Sequence, residues 1–331
     1  NKTLALYNFN LALVYYMDPE LFTSLFIENA NEDISFLINE TGNNALTVPD
    51  QYALCKTFIN LGIYFHSRGQ FLSAEQINRA LIPYPKEQFG PNSIALASTY
   101  NNLALIERDL GNYAEAEEFL EKGFSLIRNR RNKEKLDMAV VLNNQAMLYQ
   151  EIGQFDRAIK TMDNALSIAE EHIGKKGGDY SKFLINKALI FKSQKRYADA
   201  ESLLLELKNT KERRLGKRHQ DYADIESILA SVYLAQGKTE QVEELLVHAL
   251  DIYENKFSQD HPAYTSTTRL LAQFYFLTYQ FTKAQSKSEE VLATIEKNFG
   301  INHPDFQQIN EDLAVIHWNQ GTIEKAGEYF S

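Results

Sequence analysis

Histidine is the residue type whose spacing first suggests a built site in this sequence. Of the seven histidines in the 331-residue chain, three recur at intervals of 42 residues, at His219, His261 and His303. A metal site on one helix needs two histidines four residues apart with carboxylates beside them, and no pair has that spacing. Pro262 and Pro304 follow two of the three, where they suit the first turn of a helix. We therefore predict that these histidines cap helices and that the chain holds no metal.

The other side chains with reactive chemistry are isolated. Cys55 is the single cysteine, so it can form neither an intramolecular disulfide nor a thiolate metal cage, and we expect a buried, inert thiol. Glu115, Glu117 and Glu118 indicate a solvated helix surface. The sequence contains no phosphate-binding Gly-rich loop, no His-Glu-x-x-His and no Gly-x-Ser-x-Gly element. We therefore predict no catalytic residue, no cofactor and no enzymatic activity.

Composition and charge limit the classes of partner. The chain carries 34 basic and 44 acidic side chains, a formal net charge of −10, which disfavours a general nucleic-acid binder. No apolar stretch is long enough to span a bilayer, so we expect no membrane partner. A lone cysteine and the lack of a signal-peptide pattern after Asn1 favour a cytoplasmic protein, while a leader removed before Asn1 stays open.

A period of 42 residues runs through most of the chain. Seven anchor positions keep this register without a gap, namely Gly69, Gly111, Gly153, Lys195, Gly237, Tyr279 and Gly321. Small residues, mostly alanine, stand seven positions before each anchor and five positions after it. Apolar residues recur around them at i, i+3 and i+4, which predicts two amphipathic helices per repeat. The small residues would let the backbones of these helices approach closely.

This pattern resembles the tetratricopeptide repeat. The segment Asn101-Asn102-Leu103-Ala104, the aromatic residue that usually stands four positions before the anchor, and the turn at residues 300–305 are similar to the long 42-residue form found in kinesin light chains and many bacterial proteins. The resemblance implies an all-α fold, a right-handed superhelical solenoid of helical hairpins. We therefore expect a scaffold that binds other proteins.

The register divides the chain into a single solenoid of eight repeats. Residues 1–47 form a divergent repeat, in which Asn10 matches Asn60 after an insertion. The full repeats are 48–89, 90–131, 132–173, 174–215, 216–257 and 258–299, and residues 300–331 form a truncated one. Because a terminal repeat normally carries a polar cap, the short last repeat predicts that the sequence is a fragment of a longer chain.

In the family that the sequence resembles, the first helices of the repeats line a peptide-binding groove. Nine positions before the anchors stand Asn60, Asn102, Asn144 and Asn186. The resemblance implies that these amides face the groove and hold the main chain of an extended ligand, since an amide both donates and accepts. Neighbouring positions that we expect to tune specificity are Lys56, Lys182, Leu105, Met147 and Leu189. The alternative is that the asparagines only bond a neighbouring helix.

Basic connections between the predicted helices offer a second candidate surface. They lie about one repeat apart and comprise Arg128, Arg130, Arg131, Lys133, Lys135, Lys175, Lys176, Lys211, Arg213, Arg214, Lys217 and Arg218. One basic edge would suit an acidic partner or nucleic acid. Nucleic acid is the less favoured partner because no aromatic residues interleave with the basic ones, and ordinary solvated loops are the favoured interpretation.

Taken together, the sequence favours a protein–protein interaction module that binds an extended peptide or a partner helix in its groove. Two alternatives stay open. The chain would serve as the sensing or recruiting domain of a larger bacterial chain that carries a CHAT protease or a signalling kinase, an association that belongs to the family. It would otherwise be a structural spacer that self-associates end to end through its exposed terminal repeats.

Overall fold

The structure is a computed structural model that describes residues 48–128, 135–257, 259 and 261–330. The divergent repeat expected over residues 1–47, with Asn10, lies outside the described residues. The chain divides into two compact units between Ile152 and Gly153. All regular secondary structure in the described ranges is helical and recurs as hairpins, which confirms the predicted all-α fold.

The helices follow the predicted register. Those of the first unit are α1 (Val48–Ser67), α2 (Phe71–Leu81), α3 (Pro83–Phe89), α4 (Ile94–Asp109), α5 (Tyr113–Ile127) and α6 (Lys135–Glu151). Those of the second unit are α7 (Phe155–Ile173), α8 (Gly178–Ser193), α9 (Tyr197–Leu215), α10 (Gln220–Gln236), α11 (Val242–Lys256), α12 (Pro262–Leu277), α13 (Phe281–Phe299), α14 (Pro304–Asn319) and α15 (Ile323–Phe330). The anchors therefore lie in the tight turns between the first and second helix of each repeat.

The anchor turn requires a left-handed backbone conformation. The five anchor glycines have φ between 71° and 82°, and Lys195 and Tyr279, which stand in the same column, both have φ of 61°. At Lys195 the turn is closed by the amide of the next residue, Arg196, which donates to the Phe191 carbonyl at 2.8 Å. This 6→1 bond is typical of a helix that ends in a left-handed residue. The recurrence of glycine at the anchor thus follows from the backbone, because only glycine adopts this conformation without strain.

The two columns of small residues lie where helices meet. Ala146, Ala188, Ala230 and Ala314 before the anchors, and Ala116, Ala158, Ala200 and Ala284 after them, are all completely buried. Gly62 is the one glycine in the column before the anchors, and its neighbours explain why glycine stands there. A Cβ at Gly62 would collide with the buried amide of Asn78 on α2, so alanine does not fit there.

A hydrogen bond between consecutive repeats recurs in the same register. The hydroxyl of Tyr233 donates to Glu201 at 3.2 Å, and the hydroxyl of Tyr275 donates to Glu243 at 2.8 Å. In the first unit Tyr149 donates to Glu117 at 2.9 Å. Each bond joins the first helix of one repeat to the second helix of the repeat before it. The aromatic column therefore packs the hairpins and also fixes their spacing.

The second helix of the first full repeat is broken, which the repeat pattern does not predict. Helix α2 ends at Leu81, and the short α3 begins at Pro83. Proline has no N–H for the helical ladder, and its ring collides with the carbonyl four residues earlier, so a helix does not continue unbroken through it. Tyr84, on α3, is buried against the first-unit core and restores part of the apolar contact.

The histidine column caps helices, as predicted. The Nδ1 atoms of His219, His261 and His303 accept hydrogen bonds from the backbone amides two residues later, at 3.1, 3.2 and 3.2 Å. His261 also stacks on Phe257, with ring centroids 4.0 Å apart. The three histidines begin α10, α12 and α14, and these helices present the surface described next.

Candidate functional site

The first helices of the second unit line a cleft of about 690 Å³, hereafter the second-unit cleft. Its walls come mainly from α8, α10, α12 and α14. The apolar side chains that line it include Leu189, Ile228, Leu270, Phe276, Leu277 and Val315. Because an apolar cleft of this size holds several side chains of a ligand, it is the stronger candidate for a binding site.

Hydroxyl groups run along the same cleft but bond mainly to one another and to the backbone. Ser227 Oγ and Thr267 Oγ1 lie 2.9 Å apart, which joins α10 to α12. Ser231 Oγ donates to the Ile228 carbonyl at 2.7 Å. These hydroxyl groups are already hydrogen-bonded within the protein, so they do not by themselves indicate a ligand.

Three charged side chains line the second-unit cleft. Arg269 Nη2 donates to Asp312 Oδ2 at 3.4 Å. Burial raises the pKa of Asp312, although the positive charge of Arg269 opposes that rise. Lys192, on α8, donates from Nζ to Ser231 Oγ at 3.1 Å. Desolvation lowers the pKa of Lys192. One cation is therefore paired with a carboxylate inside the cleft, and the other is held by a neutral hydroxyl.

The first unit has a smaller cleft of about 260 Å³, hereafter the first-unit cleft, lined by residues that include Ile63, Asn101, Asn102 and Val140. Asn102 Nδ2 is buried and has no hydrogen-bond partner among the described residues. Asn144 Nδ2 donates to Asn101 Oδ1 at 2.8 Å, which joins α6 to α4. Asn102 thus keeps a donor available for a ligand, whereas the Asn144 amide already bonds a neighbouring helix.

The predicted site residues fall into separate places. Asn102 lines the first-unit cleft, and Leu189 lines the second-unit cleft. Leu105, Met147 and Asn186 are half-buried, and Asn60, Lys56 and Lys182 are exposed. Lys182 Nζ lies 3.4 Å from Asp179 on the same helix. Asn60, Asn102 and Asn144 belong to the first unit and Asn186 to the second, and the predicted amide ladder stays a prediction.

Sequence reasoning missed Lys192 and Phe276, which line the second-unit cleft. Both stand three positions before an anchor, one helical turn beyond Leu189 and Gln273. Residues at i and i+3 share a helix face, so the groove column already identified should have been extended by one turn. That extension would have placed a lysine and a phenylalanine in the groove.

The other candidate features have structural roles or stand outside the described ranges. Lys211 is buried and donates to Asp221 Oδ2 at 2.6 Å, so its inclusion in an exposed basic edge is wrong. Arg130, Arg131 and Lys133 lie outside the described residues. Cys55 is buried, as predicted, and burial raises the pKa of its thiol to about 12.

Two further searches of the described residues concern metal ions and membranes. They contain no group of three or more histidine, cysteine or acidic side chains arranged to hold a metal ion. In the same ranges, no helix has both the length and the apolar composition that a membrane crossing requires.

A family model described as "tetratricopeptide repeat" matches residues 95–171 and 179–255. Within these ranges the chain consists of tetratricopeptide repeats, as the sequence predicts. No curated protein sequence matches the chain.

Solved structures show the same fold at low sequence identity. The apo quorum sensor NprR from B. thuringiensis is 16% identical, with 97% of this chain and 84% of that chain covered and a TM-score of 0.59. The Rap conjugation gene regulator of plasmid pLS20, in complex with the Phr* peptide, is 13% identical over 86% of this chain and 74% of that chain, with a TM-score of 0.61. A Podosopora anserina protein with nearly identical TPR-like repeats of kinesin light chain type is 17% identical over 61% of this chain and 95% of that chain, with a TM-score of 0.51.

Proposed function

We propose that this chain is a protein-interaction module that binds an extended peptide segment of a partner in the second-unit cleft. The observation that carries the proposal is the apolar lining that α8, α10, α12 and α14 present together. A protein of the same fold, the Rap regulator of plasmid pLS20, has been solved with a peptide bound. That likeness supports peptide binding as a use of this fold.

The dimensions of the second-unit cleft favour an extended segment over a helix. Packed helices lie about 8–10 Å apart, so a row of four first helices extends over about 25–30 Å, which an extended peptide of about eight residues would cover. A partner helix is about 10–12 Å across and would fill 690 Å³ within about two turns. We therefore expect ligands of about eight or nine residues with apolar side chains at several positions.

Selection of random twelve-residue peptides displayed on phage against the full chain supplies defined probes. Each enriched peptide is then synthesised with a fluorescent label, and its affinity is measured by fluorescence polarisation for the native chain and for two variants. Val315→Arg places a charge in the second-unit cleft. Val247→Arg makes the same change at a similarly exposed valine on the second helix α11, since the exposed fractions are 44% and 50%.

We expect Val315→Arg to weaken binding by about tenfold or more, because an ion would have to be desolvated against the ligand. Val247→Arg should leave the affinity unchanged. A selection that enriches no peptide, or equal affinities of both variants for every enriched peptide, would contradict the proposal.

Two other roles predicted from the sequence stay predictions. A sensing or recruiting domain of a longer chain would use the same cleft, so the peptide experiment applies to it directly. A self-associating spacer would instead show a mass that rises with concentration in light scattering, without dependence on Val315.

A further inference from the structure

Lys192 is the cation in the second-unit cleft that has no carboxylate partner among the described residues. Arg269, the other cation there, lies 3.4 Å from Asp312 and 3.6 Å from Asp305. No acidic side chain of the described residues lies within 4.0 Å of the Lys192 ammonium, whose hydrogen-bond acceptor is Ser231 Oγ at 3.1 Å. The cleft therefore has one uncompensated positive charge, on its α8 side.

The half-buried ammonium lies beside a nearly buried side chain of the cleft. Ser231 is only 7% exposed, and the Lys192 Nζ reaches hydrogen-bond distance of its hydroxyl. Burial lowers the pKa of Lys192, since partial removal of water disfavours the charged form. A half-buried ion without an opposite charge is unfavourable unless a partner supplies that charge. The cleft beside Lys192 is thus complementary to a negatively charged group.

We propose that Lys192 selects an acidic side chain, glutamate or aspartate, of the peptide that occupies the second-unit cleft. This inference rests on the proposed function and adds the chemistry of the ligand. A glutamate or aspartate side chain carries its carboxylate two or three bonds away from the main chain, so the main chain need not approach Ser231 itself. A carboxylate at the end of the main chain would require the main chain itself to approach Ser231.

The charges in the cleft determine where along it an acidic residue of the peptide would bind. Asp312, on α14, lies at the opposite side of the cleft from Lys192, which is on α8. A ligand carboxylate beside Asp312 would compete with Asp312 for Arg269, whereas one beside Lys192 would meet a positive charge that has no carboxylate partner in the described ranges. We therefore expect one acidic residue near one end of the binding segment and apolar residues over the rest, which contact Leu270, Phe276 and Val315.

Nine-residue peptide libraries test this inference on the full chain. Each library carries an N-terminal fluorescent label and a C-terminal amide, one position fixed as Glu or as Gln, and apolar or small residues elsewhere. Affinity is measured by fluorescence polarisation. The native chain should bind the best Glu library at least about tenfold more tightly than the matched Gln library, since a hydrogen bond to a charged group is stronger than one between neutral groups.

Variants at two lysines of the second unit assign the effect. Lys192→Met should abolish the preference for Glu over Gln, and Lys192→Arg should retain most of it. Lys160→Met is the matched control, because Lys160 is exposed on the second helix α7 and does not line the second-unit cleft. Thermal unfolding should show that Lys192→Met is at least as stable as the native chain, since it removes an unpaired half-buried charge.

The outcomes separate this inference from the proposed function. Equal binding of the Glu and Gln libraries, with both weakened by Val315→Arg, would overturn the role of Lys192 and leave peptide binding intact. Loss of the Glu preference in Lys160→Met instead of Lys192→Met would also overturn it. Binding only by peptides with a free C-terminal carboxylate would overturn the choice of a side chain. Failure of every library to bind would overturn both proposals.

Discussion

Replacement of Lys195 by glycine should stabilise the second unit. Lys195 holds a left-handed conformation, with φ of 61°, at a position where five other repeats carry glycine. That conformation costs a residue with a Cβ about 1–2 kcal/mol relative to glycine. Glycine loses more backbone entropy on folding, about 0.4–1 kcal/mol, so the net gain of Lys195→Gly is about 1 kcal/mol. Lys195 is exposed and makes no side-chain hydrogen bond or ion pair with the described residues, so little else is lost.

Thermal unfolding followed by circular dichroism measures this effect. A gain of about 1 kcal/mol in a unit of this size corresponds to a rise of about 2–4 °C in Tm. Lys195→Ala is the control, because it removes the lysine side chain and keeps the strained backbone, and its Tm should not rise. Gly237→Ala should lower Tm by a similar amount, since φ at Gly237 is 75° and a Cβ there would meet no neighbouring atom. A Tm for Lys195→Gly equal to or below that of the native chain would refute the argument.

Three other substitutions test the elements that hold the repeats together. His261→Ala should lower the free energy of unfolding in urea by about 1 kcal/mol because it removes the acceptor for the Ala263 amide, whereas His261→Asn keeps an acceptor and should retain the larger part. Tyr275→Phe should cost about 1 kcal/mol at pH 8, since it removes the hydrogen bond to Glu243. Burial and the Glu243 carboxylate raise the pKa of Tyr275 to about 12. The stability that the protonated Tyr275 contributes is therefore present below about pH 10 and is lost between about pH 10 and pH 12. A Tyr275→Phe chain that loses the same stability over this range would contradict the assignment to Tyr275. Ala146→Leu should lower Tm by an amount equivalent to about 1–3 kcal/mol, because Ala146 is completely buried between helices, and an unchanged Tm would show that the small column is not a helix contact.

The fold was predictable because each repeat signal is local in sequence. The anchor glycine, the small residues and the aromatic residue lie within about a dozen positions, and each satisfies a short-range requirement of a turn or a helix contact. The break in the helix at Pro83 could have been predicted from the proline alone, but the regular 42-residue register favoured an unbroken second helix. The hydrogen bond between Tyr275 and Glu243 could be identified only from the structure, since the two residues are 32 positions apart and belong to neighbouring repeats.

The candidate site was predictable only in part. Sequence reasoning placed Asn102 and Leu189 on the groove face, and both line clefts. It gave Asn102 and Asn144 the same role because they share a column, but the structure bonds Asn144 to Asn101 and leaves the Asn102 Nδ2 without a partner in the described ranges. Whether a side chain bonds its neighbour or faces a cleft depends on packing between helices, which a column of identical residues does not contain.

The dependence on packing between helices also explains why the sequence did not identify Lys192. Its importance depends on what surrounds it: Arg269 has carboxylates within reach, and Lys192 has a serine hydroxyl. From the sequence alone, Arg269 and Lys192 are both basic residues on predicted helices, and nothing distinguishes them. The distinction between a paired and an unpaired cation arises only when α8, α10, α12 and α14 are placed side by side.

Photo-crosslinking tests most directly whether a peptide binds the second-unit cleft. The photoreactive residue p-benzoylphenylalanine replaces Gln273, which is exposed and lines the cleft, or Val247, which is exposed on the second helix α11. Each full chain is irradiated with a labelled peptide enriched by phage selection, and the crosslinked product is measured by mass spectrometry. The account predicts a crosslink from position 273 that an excess of unlabelled peptide removes, and none from position 247. Equal crosslinks from both positions, or a crosslink from position 247 alone, would contradict it.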